Sequence, residues 1–485
     1  MVNLNTGGFL FGILHLSTMQ LHHFIIVGGG PVGCAVALHL AKLGHCITIY
    51  EGRSNIPNDP TQSYPIGINP RGMHAIEIAG APATADGIRA SSRPIHAWDI
   101  FVGSRRVASL ASGGSTLGTS RGHVNVYLMD ACVAHSQITV HMNHTLYSMD
   151  FATQTLTFTR TDDNHQSSTV VTVDASKARV VGADGVYSSV RAAMQCHDPA
   201  LDVMVSPWVN EHRVLYASPG QMIQGLDPSV HYLFRGAHYT AAVGLPRHDG
   251  ALQWIMVLTV RDSEASASDG HLIHATSPTT ANVAKLKAWV RSIAPGFEEI
   301  VADDEFRDWF DRRTYRGAVV RCSHFHSRNN WVVLVGDAAH SVLPATGEGI
   351  NSGLEDAVVL ADCVAQELQD NTAFRSFTIR RRPDIHALHL YATYLNACPS
   401  FLGERVARIL FRILENNDKA SIARTLFGPI ALTRPPYKGV VDKWQRRRTL
   451  WLNLARLVVY PPAAVVAIAM WPVDCLTAVL SNSSR

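Results

Sequence analysis

Short apolar runs that end in glycine recur three times along the chain, and each is followed by apolar positions at helical spacing. In "HFIIVGGGPVGCAVALHLAKLGHCITIYEGR", Phe24 to Val27 reads as a buried strand. The residues after it read as a helix up to Leu43, Gly44 as its stop, and "CITIY" as a second strand. "ARVVGADGVYSSVRAAM" is a strand ending in Gly182-Ala183-Asp184-Gly185, with a helix starting around Ser188. "WVVLVGDAAHSVLPATGEGIN" is a strand over Trp331 to Val335 ending in Gly336-Asp337, with a further helix opening near Asn351. Regular strand–helix alternation does not continue after residue 51. Loop-rich residues run to Tyr64, a helix falls near Arg71 to Ile78, and "LQWIMVLTV" (Leu252 to Val260) reads as an antiparallel strand.

The first unit has the physics of a dinucleotide loop. Gly28, Gly30 and Gly33 fit GxGxxG: the first permits a tight turn, the second lets backbone approach a pyrophosphate, and the third lets helix and strand pack closely. The helix N-terminus offers unpaired N–H groups to phosphates. Glu51, at the end of the second strand, suits a ribose 2′-hydroxyl and argues against a 2′-phosphate. An adenine dinucleotide follows, and this unit alone does not choose between FAD and NAD.

Composition narrows the class. A chain of 485 residues is too long for one simple core, and 47% hydrophobic with 17% charged residues describes a folded protein. The net charge of +3 gives no reason to invoke nucleic acid. Eight scattered cysteines without CxxC fit free thiols in a reducing compartment, and pairs such as His324/His326 and His386/His389 lack a third ligand, so no metal is expected.

The ends read differently. Residues Gly7 to Leu21 are mostly apolar without a preceding Lys or Arg, which reads as an extension and not a secretory signal, and Met19 is an alternative start. At the other end "DKWQRRR" precedes 17 uncharged residues, "LVVYPPAAVVAIAMWPV". As a helix these would cover about 25 Å, short of the roughly 30 Å hydrocarbon core, and Pro461, Pro462 and Pro472 interrupt them. A membrane-associated tail with its basic flank on the cytosolic side is expected, and a buried core helix is the alternative.

The other two turns point to a flavin. A carboxylate at Asp337 can reach a polyol hydroxyl, and Gly347 and Gly349 precede a helix whose N–H groups suit an anionic flavin edge. Asp184 is open to either a ligand role or a turn role. In order and spacing the three elements resemble the FAD-dependent aromatic hydroxylases of the para-hydroxybenzoate hydroxylase type, and within them the kynurenine 3-monooxygenase family. "SYPIGINPRGMHAIE" is similar to that family's "SINLALSxRGxxAL", "VHMNHTLYSMD" to "MHFNHRL", and "VVGADGVYSSVR" to "IVGCDGAYSxVR". "VGDAAHSVLPATGEGINSGLED" is similar to "LGDAAHAxVPFFGQGMNxGFED", and "RRPDIHAL" and "YKGVVDKWQRRR" also find counterparts.

The resemblance implies an α/β fold: a Rossmann-like FAD-binding domain (22–90, 110–200 and 310–365) with an inserted mixed β-sheet substrate domain (91–109 and 201–309). An N-terminal extension (1–21), a C-terminal helical region (366–450) and a hydrophobic tail (451–485) complete it. FAD would be held by Gly28, Gly30, Gly33, Glu51, Arg53, Arg121, Asp184, Gly336, Asp337, Pro344, Gly347, Gly349, Ile350 and Asn351, and substrate by Arg93, Tyr394 and Asn351. The implied activity is hydroxylation of an aromatic ring, L-kynurenine to 3-hydroxykynurenine, through a flavin 4a-hydroperoxide formed with NADPH and O2. NADPH would bind transiently, and no protein acid or base is called for. The implied location is membrane-associated and cytosol-facing, with the mitochondrial outer membrane as candidate. Several positions depart from the family: "FFGQG" is "ATGEG" here, Leu110 stands where a substrate tyrosine is expected, Tyr394 aligns only with two residues deleted, and Gln62 replaces an arginine. Another aromatic or secondary-metabolite substrate on the same scaffold, and a non-catalytic membrane-tethered flavoprotein, are the alternatives.

Overall fold

The structure, a computed structural model, describes residues 21–56, 63–102, 105–162, 167–235, 239–247, 249–261, 275–367, 371–396, 435–450 and 453. The expected N-terminal extension apart from Leu21, and the expected tail apart from Asn453, lie outside the described residues. Five strands pair in parallel in the order Val332–Leu334, Ala178–Gly182, His23–Val27, Cys46–Tyr50, Ile138–His141. Parallel strands are covered on both faces, which is why "FIIV" and "VVL" are continuous apolar runs without alternation. Helix Pro31–Lys42 packs on helices Arg121–Ala134 and Gly349–Glu367 over this sheet. The strand–helix readings of the first 50 residues, of the 178–197 unit and of the 332–367 unit are all present in the structure.

A second, seven-stranded sheet runs Asn210–Tyr216, Leu252–Arg261, Tyr239–Pro246, Val230–Arg235, Arg93–Val102, Arg105–Ser120, Pro65–Ile68. It is mixed: Val230–Arg235 lies parallel to Arg93–Val102, and its other pairings are antiparallel. Alternation assigns its two faces. Leu215, Tyr232, Trp254 and Met256 pack against helix Thr280–Ile293 through Leu286 and Trp289, while Val214, Tyr216, Val243, Leu245 and Ile255 face Tyr64 and Tyr315. The sheet reaches further than the expected insert of 91–109 and 201–309, because it includes Pro65–Ile68 and continues to Ser120. Pairing decides this: Pro65 to Ile68 register against Ser120 to Leu117, so residues just before the helix Pro70–Glu77 close the sheet edge.

Burial leaves several imidazoles dry. It pushes His231 and His389 down to about 3 and His45 and His212 down to about 4 from the usual 6.5. These folded-state values lie below the unfolded one, so the stability they contribute is complete above pH 6.5 and is lost as pH falls towards 4 and 3. The thermal unfolding midpoint is expected to fall as the pH is lowered from 6.5 to 4; a flat profile over that window would contradict the burial of these rings.

Candidate functional site

The glycine loop divides its three positions as the backbone requires. Gly28 has φ +106°, and a Cβ there would lie 2.5 Å from the Ala183 carbonyl oxygen. A Cβ on Gly33 would lie 2.0 Å from the Gly28 carbonyl oxygen, so helix and loop touch there. A Cβ on Gly30, by contrast, would meet nothing within 4 Å. Gly30 opens the helix with Pro31 behind it and no side-chain cap, leaving its first N–H groups pointing into that open space. Asn125 Nδ2 donates to the Gly29 carbonyl at 3.3 Å and ties helix Arg121–Ala134 to the loop.

Glu51 is buried beside this loop. Gly29 N donates to Oε2 at 2.6 Å, and Arg53 donates to Oε1 from its backbone N at 2.9 Å and from Nε at 2.8 Å. Burial alone would push this carboxyl up, but the Arg53 bonds and charge, with Gly29, outweigh it and hold the pKa below the usual range. Glu51 and Arg53 therefore stand together beside the glycine loop.

The second turn is tied into its own helix. Ser188 Oγ donates to Asp184 Oδ1 at 2.5 Å and Val190 N to Oδ2 at 3.1 Å, so Asp184 helps to cap the helix Ser189–His197. Burial raises its pKa, partly offset by those bonds. Arg191 of that helix donates to the Ala338 carbonyl at 2.9 Å and fixes the second turn against the third.

The third turn is built on a buried ionic network. Gly336 has φ +55°, and its N–H donates to Asp356 Oδ2 at 2.8 Å. The same carboxylate pairs with His340 Nε2 at 2.7 Å and with Arg381 Nε at 2.7 Å, and Arg381 also reaches Glu355 at 2.7 Å and the Ser352 carbonyl at 3.0 Å. Arg71 pairs with Glu355 from the other side. Asp356 has no exposed surface; burial pushes its carboxyl up, but the charges of His340 and Arg381 outweigh that and hold it down. This network keeps Asp337 at the head of helix Asp337–His340 with its side chain exposed. The protein around Asp337 nonetheless raises its pKa by desolvation, against the charges of His340 and Arg121, so the carboxyl stands on the wall of a cleft. Burial raises the pKa of Tyr64, with the charge of Arg121 opposing and that of Asp337 adding to the shift.

After Pro344 the turn Pro344–Thr346 leads to Gly347 at φ +66°, where a Cβ would meet nothing, and to Gly349, which opens the helix carrying Ile350 and Asn351. Asn351 was expected to touch substrate, but it is 1% exposed and its amide is committed to the protein. Its Oδ1 accepts from Asn69 N at 3.0 Å, and its Nδ2 donates to the carbonyls of Gly67 and Gly347, both at 3.0 Å. It therefore ties the turn to strand Pro65–Ile68. Arg93 starts its strand half-buried, and its buried Nε has no hydrogen-bond partner among the described residues. Tyr394 lies in helix Ala373–Asn396, and its side chain, like that of Leu110, lies outside the described residues.

Several of these residues escaped sequence reasoning: Asn69, Arg71, Asn125, Arg191, His340, Asp356 and Arg381. Asp356 and His340 stood within a motif already singled out. Arg381 sat in the "RRR" run, where a solvated charge is the default reading, and no local pattern marks it as buried.

Comparison with known proteins accords with this geometry. A family model described as FAD binding domain matches residues 22–388. The chain belongs to that family. Kynurenine 3-monooxygenase from Chaetomium globosum is 25% identical over 460 residues, covering 86% of this chain and 93% of that protein. The Salinispora arenicola enzyme of the same name is 28% identical over 445 residues, covering 87% and 90%. Among solved structures, the tetrameric form of 2-methyl-3-hydroxypyridine-5-carboxylic acid oxygenase superposes with a TM-score of 0.62 at 18% identity, covering 86% of this chain and 99% of that one. PqsL from Pseudomonas aeruginosa in complex with 2-aminobenzoylacetate gives 0.56 at 18% identity, covering 78% and 96%. The protein is an FAD-dependent monooxygenase.

The residues fit the cofactor. Gly30 and its uncapped helix offer room and N–H donors for a pyrophosphate, while the exposed carboxylate of Asp337 is an acceptor for the hydroxyls of a ribityl chain. The loop glycines make opposite predictions. Gly33→Ala is expected to abolish soluble folded protein. Gly30→Ala should fold with an unchanged thermal midpoint but bind FAD about 5- to 150-fold more weakly, the equivalent of about 1–3 kcal/mol of overpacking. Fluorescence titration of the apoprotein with FAD measures this, and similar behaviour of the two variants would refute the assignment.

Proposed function

We propose that this monooxygenase hydroxylates L-kynurenine to 3-hydroxykynurenine, consuming NADPH, a proton and O2 and releasing NADP+ and water. The observation that carries the reading is Arg93: a half-buried guanidinium on the sheet, with a buried Nε that finds no partner among the described residues. A buried, unsatisfied donor of this kind is costly unless a ligand completes it, and a planar fork suits the carboxylate of an amino acid. The names of the curated relatives support kynurenine as that amino acid. Bound FAD supplies the oxygen chemistry. The chain's part is to anchor the carboxylate at Arg93, to orient the ring and to keep water out. The substrate's own amino group activates the ring.

A second reading keeps the chemistry and changes the substrate. Ala345, Thr346 and Glu348 replace two aromatic residues and a glutamine of the family pattern beside the flavin turn, and they favour a different aromatic amine or phenol. We further propose that the basic residues Arg446, Arg447 and Arg448 and the tail beyond them bring the enzyme to an anionic, cytosol-facing membrane, with the mitochondrial outer membrane as candidate. No described helix is long and apolar enough to cross a membrane.

Incubation with L-kynurenine and NADPH is expected to give a product heavier by one oxygen, and peroxide without that product would remove kynurenine as the substrate. Arg93→Ala should lower kcat/KM by the equivalent of about 2–5 kcal/mol, with Arg93→Lys only partly restoring it because the fork is lost. On vesicle flotation the full chain should rise with anionic lipid and a chain ending at residue 450 should not; equal flotation would rule out the tail as the anchor.

A further inference from the structure

A helix over residues 437–450, beyond the family match, reaches back to the flavin turn through one side chain. Tyr437 is completely buried, and its hydroxyl donates to Glu348 Oε2 at 2.7 Å. Glu348 lies between Gly347 and Gly349 and is 2% exposed. Its carboxylate also accepts from Asn69 Nδ2, at 2.9 Å to Oε1 and 3.1 Å to Oε2. Asn69 is itself held, since its Oδ1 caps helix Pro70–Glu77 by accepting from Arg71 N at 2.9 Å and Gly72 N at 3.3 Å. The Arg71 guanidinium stacks on the Tyr437 ring with 3.9 Å to the centroid, bonds the Pro435 carbonyl and pairs with Glu355. Below this, Tyr437, Val441 and Trp444 pack on Leu388 and Tyr391 and on Val342, two residues ahead of Pro344.

From these contacts we infer that Tyr437 is a positioning residue of the flavin site: its hydroxyl holds Glu348, and through it the turn Pro344–Gly349, in the geometry that receives the cofactor. Two properties support the role. Burial and the neighbouring Glu348 charge raise the Tyr437 pKa well above its usual value, so the phenol stays a donor throughout the working pH range. A carboxylate so deeply buried is tolerated only with its oxygens satisfied, and Tyr437 and Asn69 supply donors from two otherwise separate segments. Removing the phenol leaves Glu348 short of one charge-assisted bond, and the turn that carries it, with Gly347 at φ +66°, is the element placed to move in response.

The inference rests on the flavin lying against Pro344–Gly349, and it is independent of which aromatic substrate is used. The test uses the full chain with Tyr437→Phe, which keeps the ring on Arg71 and loses only the hydroxyl. The apoprotein should lose less stability than the holoprotein, bind FAD roughly ten- to hundred-fold more weakly, and show an altered visible circular dichroism of the bound flavin. Glu348→Gln should produce a similar change, and the double variant should be no weaker than the weaker single one. The proposal is overturned if Tyr437→Phe binds FAD with wild-type affinity and spectrum, if the two changes add, or if the apoprotein loses as much stability as the holoprotein. FAD titration contains no kynurenine, so the outcome is separate from the substrate assignment.

Discussion

One buried carboxylate organises the reactive end of this molecule. Asp356 accepts the N–H of Gly336 while pairing with His340 and compensating the cationic Arg381. A carboxylate with no exposed surface is tolerated only because its partners are in place, and losing any one of them leaves a stranded charge. The left-handed conformation of Gly336, the direction of Asp337 and the start of the helix after Gly349 all depend on it. Through Glu355 the same network takes in Arg71, in the helix that follows the edge strand Pro65–Ile68 of the second sheet.

The dinucleotide half was legible because its signals are local. Gly28, Gly30 and Gly33 sit within six residues, and each does what backbone sterics alone would assign to it. The parallel strands announced themselves as unbroken apolar runs. The candidate site was less legible because its decisive contacts join residues far apart in the chain. Asn69 meets Glu348 across 279 positions and Arg71 meets Glu355 across 284. No periodicity records such pairs, and Arg381 inside a run of three arginines looks like a solvated surface. The edge of the second sheet was missed for a related reason: only the register of Pro65–Ile68 against Leu117–Ser120 assigns it.

Asn351 shows how a motif residue can be recognised while its use is misjudged. The residue stands beside the cofactor turn, yet both ends of its amide are consumed by backbone groups of the turn and of the strand at residue 67. Glu348 is the opposite case. It looked like a departure from a family pattern, and the structure gives it partners from two other segments. A carboxylate at that position is thus a matched part of this chain, whatever ring it faces.

The strand order has a further meaning for how the protein is made. Val180 pairs with Val332 on one side and Ile25 on the other, so the central sheet lacks an outer strand until residue 334 has been synthesised. At ribosomal speeds the intervening chain of about 150 residues takes roughly 8–30 s to emerge. Throughout that interval Ala178–Gly182 presents an open, apolar edge of the kind that invites wrong partners. Even then the third turn is incomplete, because the arginine that neutralises its carboxylate comes about 50 residues later still. The cofactor's two ends are therefore served by parts of the chain born at very different times. A nascent chain with a finished adenine loop and no place yet for the flavin ring is an obligatory stage in the life of this enzyme.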